Sequence, residues 1–465
     1  MSKRVWECLA LLFAGQIAAT AAAEPEQTKL RAPAVPLIAV DPYFSIWSPA
    51  DKLTDAATTH WTGAPNRLCS LIRIDGKAYR MMGNEPKDVP ALEQTDLTIH
   101  PTTVTYHFAG AGVDLSLSFM TPLLPEDLMV FSRPVTYLTW QLSATDGKQH
   151  DVTIYYDNMA ELVVHNPATE RVTWAKRTFG DVDALLIGSV DQPVLRMKGD
   201  GVRINWGYQY VAVPQSQKGK LAVAPVNAAR QAWGSLLPAA ETVPVPAKDA
   251  PVLSVTFALG NVGAKPVTRW LILAYDDIYS AQFFHRNMKA YWKKDGAEIG
   301  DLLEKSAAEY ESLQQRCRAF DLELMADLQK AGGPKYAWLG ALAYRQSLAA
   351  SKVLVDAEGQ PLYFCKENTS NGCMGTVDVF YPQSPLPLLI SPSLARAMLI
   401  PVLEYASSPL WKWPNAPHDV GTWPLANLQI YGGGQSDGGM PVEETGNMIL
   451  LVAAVAQVEG TPTSP

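Results

Sequence analysis

Residues 270–328 read WLILAYDDIYSAQFFHRNMKAYWKKDGAEIGDLLEKSAAEYESLQQRCRAFDLELMADL, and the texture of the chain changes within this stretch. Up to Tyr275 the apolar residues come in short runs, whereas Ala281 to Leu328 is helical in composition and charged on one face. Upstream, from about Leu30 to Asp276, the short runs recur between turn residues. Leu71-Ile72-Arg73-Ile74 precedes Asp75-Gly76, and Val152-Thr153-Ile154-Tyr155-Tyr156 follows Asp146-Gly147. Many such runs at this spacing predict a large antiparallel β-sandwich. Residues 281–333 read as a helical connector ending at Gly332-Gly333-Pro334, and helices are expected beyond it over Tyr336–Leu354, Pro392–Ala406 and Pro441–Val458. The fold class is multidomain, β followed by α. Two loops separate these helices, Val355–Ser391 and Ser407–Met440, each far longer than the ~2–8 residues that usually join helices. Their richness in Trp, Tyr and Gly points to function rather than disorder. In strict up-and-down wiring they leave from opposite ends of the bundle, so their acids converge only if the first loop folds back along it.

At 465 residues the chain exceeds the size at which one core stops growing, which predicts two or more domains. Charged residues make up 18%, below the ~25% of an average soluble domain, and the net charge is −8. That balance offers no footprint for nucleic acid or anionic lipid and leaves a small-molecule substrate open as the partner. Lys3 and Arg4, the apolar stretch Cys8–Ile17 and Ala21-Ala22-Ala23 read as a secretory signal peptide over 1–23. The apolar run is about half the ~20 residues that cross a bilayer, so a secreted or periplasmic location is expected, with no membrane association after cleavage. Cys69, Cys317, Cys365 and Cys373 remain, and the closeness of the last two makes a local bridge the leading pairing in an oxidising compartment. Their spacing is not C-x₂₋₄-C and their loop holds no histidine, so no metal is expected. Without a G-x-S-x-G elbow, S-x-x-K, H-E-x-x-H or P-loop, no cofactor is expected either.

Several longer motifs stand in order. Near the amino end are Arg31-Ala32-Pro33-Ala34-Val35-Pro36-Leu37, Asp41-Pro42-Tyr43-Phe44-Ser45-Ile46-Trp47-Ser48 and His60-Trp61-Thr62-Gly63. The first long loop carries Lys366-Glu367-Asn368 and Gly375-Thr376-Val377-Asp378-Val379-Phe380-Tyr381-Pro382; the second carries His418-Asp419-Val420-Gly421-Thr422-Trp423-Pro424 and ends in Met440-Pro441-Val442-Glu443-Glu444. Together these segments resemble the glutaminase A family of large secreted fungal and bacterial proteins. Pro122–Tyr156 is also similar to that family's β-rich amino-terminal region, so the resemblance covers nearly all of the mature chain. It implies a β-sandwich followed by an (α/α) toroid of six-hairpin glycosidase type, and release of ammonia from glutamine. Family members continue well beyond Met-Pro-Val-Glu-Glu, so the toroid is expected to be incomplete and the chain truncated. The expected division is 1–23 signal peptide, 24–90 amino-terminal segment, 91–280 sandwich, 281–333 connector and 334–465 partial toroid.

Amide hydrolysis needs an activated nucleophile and a donor to the leaving amine; glycoside hydrolysis needs two carboxyl groups. Both draw here on Glu443, Glu444, Asp419 and Asp378 as candidate catalytic residues. Glu443 and Glu444 are adjacent at a helix start and diverge by about 100°, so one faces a cavity while the other complements the helix dipole. Asp419 beside His418 is placed to orient a water or a substrate, or to stabilise a turn. Asp378 lies in a strand-like run between Val377 and Val379 and is expected to point away from them. His418, Lys366, Glu367, Asn368, Tyr381 and Trp423 are the candidate substrate-binding residues, the aromatic ones by stacking on a ring or by packing the loop itself. The alternatives to a glutaminase are a six-hairpin glycoside hydrolase and a non-catalytic, carbohydrate-binding remnant.

Overall fold

The computed structural model describes residues 31–233, 243–431 and 439–460; the signal peptide expected over 1–23 lies outside the described residues. Nine strands form one antiparallel sheet in the order Val245–Pro246, Arg171–Phe179, Val182–Ser189, Tyr208–Pro214, Val267–Asp276, Val135–Ala144, Val113–Met120, Thr103–Gly110 and Glu93–Ile99. Five more, Lys220–Ala224, Val252–Val262, His150–Asn158, Leu68–Ile74 and Lys77–Met82, form a second antiparallel sheet. Alternation makes each sheet two-faced: Val113, Leu115, Leu117 and Phe119 are buried, while Asp114, Ser116 and Ser118 between them are not. The buried faces meet as a sandwich. Trp140 of the first sheet packs on Tyr156 and Phe257 of the second, at 6.2 and 5.9 Å between ring centres, and donates its indole N–H to Ser70 Oγ at 3.1 Å. Leu68–Ile74 and Lys77–Met82 belong to this sandwich although they precede residue 90.

Helices follow at Ile299–Ala308 and Tyr310–Ala349, the latter broken at Gly333, whose φ of 81° and ψ of 179° leave the helical region ahead of Pro334. Beyond it come Val377–Gln383, Pro385–Ile390, Pro392–Ser407 and Pro441–Glu459. Among the described residues no helix is long and apolar enough to cross a membrane.

A third large sheet joins the two halves. Its order is Pro361–Cys365, Ser351–Val355, Arg286–Ala290, Ala281–Phe283, Leu425–Ala426, Gly421–Thr422 and Cys373–Met374. This corrects three expectations. Residues 281–290 form a hairpin rather than helix, turning through Phe284 and His285 at φ 48° and 61°, the pair of positive angles a type I′ turn requires. The helix expected to reach Leu354 stops at Ala349, because Ser351–Val355 carries two valines and pairs with Pro361–Cys365. Asp378 lies in the first turn of a helix rather than in a strand.

Buried polar residues lock these layers together. Lys352 donates at 2.6 Å to Asp41 of the amino-terminal segment and at 2.6 Å to Asp277 at the end of the sandwich. Arg345 gives its guanidinium to the carbonyls of Pro36, Leu37 and Pro101. Asp321 accepts from the backbone and hydroxyl of Thr102, both at 2.8 Å. Tyr310 stacks on Trp270 at 4.0 Å, seating the long helix on the sandwich.

Lys352→Ala leaves two buried carboxylates without their cation, and is expected to cost about 3–5 kcal/mol of unfolding free energy in urea titrations. Burial pushes the Asp321 carboxyl up to about 7 against the lowering effect of the Thr102 hydrogen bonds. The native state therefore holds a proton that the unfolded chain, with an ordinary aspartate pKa of about 4, releases. This contribution to stability is complete below about pH 4 and is lost as the pH rises through about 7; Asp321→Asn removes that slope from unfolding measured across pH 4–8.

Candidate functional site

The two long loops converge because they pair with each other. Cys373 and Met374 lie opposite Thr422 and Gly421 in an antiparallel ladder, and the Val377 amide donates to the His418 carbonyl at 2.9 Å. The first loop thus folds back and delivers the start of its short helix, with Asp378, beside His418. Gly421 permits the closure: its φ is 152°, and a Cβ there would lie 2.1 Å from the Leu425 carbonyl oxygen. The final helix is tied in by Thr445, whose hydroxyl accepts from the Ala416 amide at 3.0 Å.

Asp378, His418 and Glu444 meet at this junction, with one potential ligand atom from each lying within 4.8 Å of the others. His418 Nδ1 lies 3.0 Å from Asp419 Oδ2, and its Nε2 lies 3.7 Å from Asp378 Oδ1. Tyr431 stacks on the imidazole at 4.1 Å, and the Gln429 side chain accepts from the His418 amide at 2.8 Å. Asp419 is saturated: besides the imidazole it accepts from the amides of Gly421, Ile430 and Tyr431 at 2.9, 3.1 and 3.2 Å. It positions His418 and has no oxygen left for a substrate.

Glu444 is 0% exposed, and its Oε2 accepts only a long 3.4 Å contact from Asn447. Its Oε1 and Asp378 Oδ1 are buried oxygens without a hydrogen-bond partner. Burial first, then the charge of Asp378, raises the Glu444 carboxyl to about 8, so it is mostly protonated at neutral pH. Burial disfavours the imidazolium of His418, but the hydrogen bond and charge of Asp419, followed by Asp378 and Glu444, raise its pKa overall. The arrangement pairs a proton-bearing carboxyl with a histidine held by a fixed carboxylate.

The other candidates lie elsewhere. Glu443 is exposed, one residue and about 100° round the helix from Glu444. Lys366 is bound up in its loop, donating to Asp200 at 2.6 Å and Asn368 at 2.9 Å, with its ammonium 4.6 Å from the Trp61 ring centre. Glu367 gives its amide to the Cys373 carbonyl, and Asn368 lines a separate cavity of about 550 Å³ with Trp47, His60 and Trp61. Tyr381 is half-buried against the core. Trp423 is 1% exposed and packs on Tyr43, so it presents no face for stacking on a substrate.

The expected local cysteine bridge is not formed. Cys69, Cys317, Cys365 and Cys373 are all buried free thiols. Lys366 pairs with Met374, so Cys365 and Cys373 are diagonal neighbours in the ladder, roughly 7 Å apart at Cβ where a disulfide needs about 3.8 Å. Cys373 also clusters with His418 and Asp419, a potential ligand group that the spacing argument missed because the histidine comes from the other loop. Gln429 and Tyr431 escaped sequence reading too, since nothing local marks a residue that supports a histidine from behind.

Comparison with known proteins gives a consistent result. Residues 8–93 and 102–327 match two domains of unknown function, DUF4964 and DUF5127, and residues 333–464 match the glutaminase A six helical-hairpin domain. Glutaminase A of Aspergillus oryzae is 29% identical over 448 residues, covering 92% of this chain and 63% of the relative. A protein of Arthroderma benhamiae named "Probable glutaminase" is 24% identical over 484 residues, covering 91% and 52%. The chain thus spans less than two thirds of the length of these curated relatives. A family GH92 alpha-mannosidase from Bacteroides thetaiotaomicron superimposes with a TM-score of 0.39 at 11% identity, covering 86% of this chain and 49% of that one, a likeness that speaks neither to chemistry nor to substrate. With the three matched segments in order along it and a glutaminase A aligned over nearly its whole length, the chain belongs to the glutaminase A family.

Proposed function

We propose that the Asp378–His418–Glu444 junction is a hydrolytic site and that its reaction is hydrolysis of the glutamine side-chain amide to glutamate and ammonia. The observation that carries this reading is the convergence of two carboxyl oxygens without partners on a histidine held by Asp419. Asp378, half-open to solvent, takes a proton from an attacking water. Glu444, protonated at neutral pH, gives its proton to the leaving amine. His418 holds the charge between them. The names of the curated relatives support glutamine as the substrate. The amino-terminal Lys3-Arg4, apolar run and alanine triplet support a reaction carried out after export, in the periplasm or outside the cell.

One measurement favours a second reading. Carboxyl oxygens within 4.8 Å of each other resemble the ~5–5.5 Å pair of retaining glycosidases and are too close for inverting ones at ~6.5–9.5 Å. Purified chain assayed for ammonia from glutamine and for reducing sugar from a glycan panel separates the two. For the glutaminase reading, Asp378→Asn and Glu444→Gln are each expected to lower kcat by about 10²–10⁴-fold, while Glu443→Gln changes it less than about twofold. Equal losses in the Glu443 and Glu444 variants would remove this assignment. Sugar release with retained anomeric configuration would replace the substrate, and absence of both activities would leave a binding role only.

A further inference from the structure

Three electron-pair donors face one another at the loop junction with little to share. His418 Nδ1 is engaged by Asp419, which orients the opposite nitrogen, Nε2, towards Asp378 Oδ1 at 3.7 Å. Glu444 Oε1 completes the group from a side chain that is 0% exposed, and neither carboxyl oxygen has a hydrogen-bond partner. When His418 donates its Nδ1 proton to Asp419, Nε2 carries a lone pair, and three acceptors point at one small volume. Such a grouping calls for positive charge among its members, either a proton held by one of them or a cation bound by all three.

We propose that Asp378, His418 and Glu444 form a binding site for a divalent cation of the zinc class. Two carboxylates balance its charge, and an imidazole nitrogen selects zinc and its neighbours over calcium or magnesium, which prefer oxygen ligands. A tetrahedral ion with bonds of about 2.0–2.2 Å sets its ligands about 3.3 Å apart. The observed separations, 3.7 Å for the Asp378–His418 pair and within 4.8 Å overall, close to that value through small rotations of the two carboxyl groups. Three protein ligands leave the fourth position of a tetrahedral ion for water or substrate. Behind the ligands, Asp419 holds the far nitrogen of His418 with an oxygen that also accepts from the Tyr431 amide, the carboxylate–histidine support that orients metal ligands. The neighbouring Cys373–His418–Asp419 group is the poorer candidate, because the Asp419 oxygens are already taken by three amides and the imidazole.

The consequence for catalysis rests on the hydrolytic reading above. An ion at this site takes the lone pairs that proton transfer uses, so zinc inhibits ammonia release and a chelator restores it.

Binding is tested apart from activity, by calorimetric titration of zinc chloride into the untagged full chain freed of metal with EDTA and desalted. The expected result is one saturable site. Glu444→Gln and His418→Ala weaken it at least about tenfold, Asp419→Asn by about 10–100-fold, and Cys373→Ser leaves it unchanged. Glu444→Gln and Asp378→Asn preserve side-chain size, and far-UV circular dichroism confirms that the compared variants are folded. No saturable uptake, unchanged affinity in folded Glu444→Gln, or loss of binding in Cys373→Ser would overturn the site. Zinc binding with the expected variant pattern but with glutamine hydrolysis absent or undiminished would uphold the site and instead overturn the hydrolytic reading.

Discussion

The pairing of Cys373–Met374 with Gly421–Thr422 is the constraint on which the site depends. Two residues of ladder on each side are little by themselves, but they lie at the edge of a seven-stranded sheet that begins in the hairpin just after the sandwich. The Gly421–Thr422 strand continues into Leu425–Ala426, which runs parallel to Ala281–Phe283 of that hairpin. The loops are therefore anchored to the sandwich rather than left to the helices. Once the ladder forms, Asp378 and His418 have one relative position, and Gly421 is the residue whose missing side chain lets the backbone come that close.

The same sheet explains why the molecule needs so many buried charges between its layers. Lys352 sits on an inner strand of it and faces acids from two distant parts of the chain, Asp41 and Asp277. A fully hydrophobic contact would hold these segments together but would not set their register. Directional hydrogen bonds from Lys352, and from Arg345 to three backbone carbonyls, do so at the cost of desolvation. Asp321 with Thr102 does the same between the long helix and the sandwich. Activity at the junction is thus mechanically tied to segments far from it in sequence.

The electrostatics of the junction follow from unequal satisfaction. Asp419 is as buried as Glu444, yet it accepts from three amides and an imidazole, while Glu444 has an oxygen with no partner at all. Both carboxyls are buried, but their hydrogen bonds differ, and Glu444 also has the charge of Asp378 beside it. One acid is thereby committed to structure and the other kept reactive.

Much of the class was legible in consecutive residues. Runs such as Leu71–Ile74 and Val152–Tyr156 announced strands, and Pro392 and Pro441 marked helix starts that the structure places at those residues. These features were visible because period, turn chemistry and prolines at helix starts act over neighbouring positions. The divergence of Glu443 and Glu444 was also a local fact of helix geometry, but which of them faces inward was not. The hairpin at 281–290 was misread because its side chains resemble those of the helices that follow, and only its partners in the sheet overrode that preference. Sequence by itself determined the order of β and α parts, the family likeness and the short list of acids. The tertiary structure alone decided that Asp378, His418 and Glu444 meet, that Trp423 and Lys366 are packed away, and that Cys365 and Cys373 stand diagonal, because each depends on pairing between residues far apart along the chain.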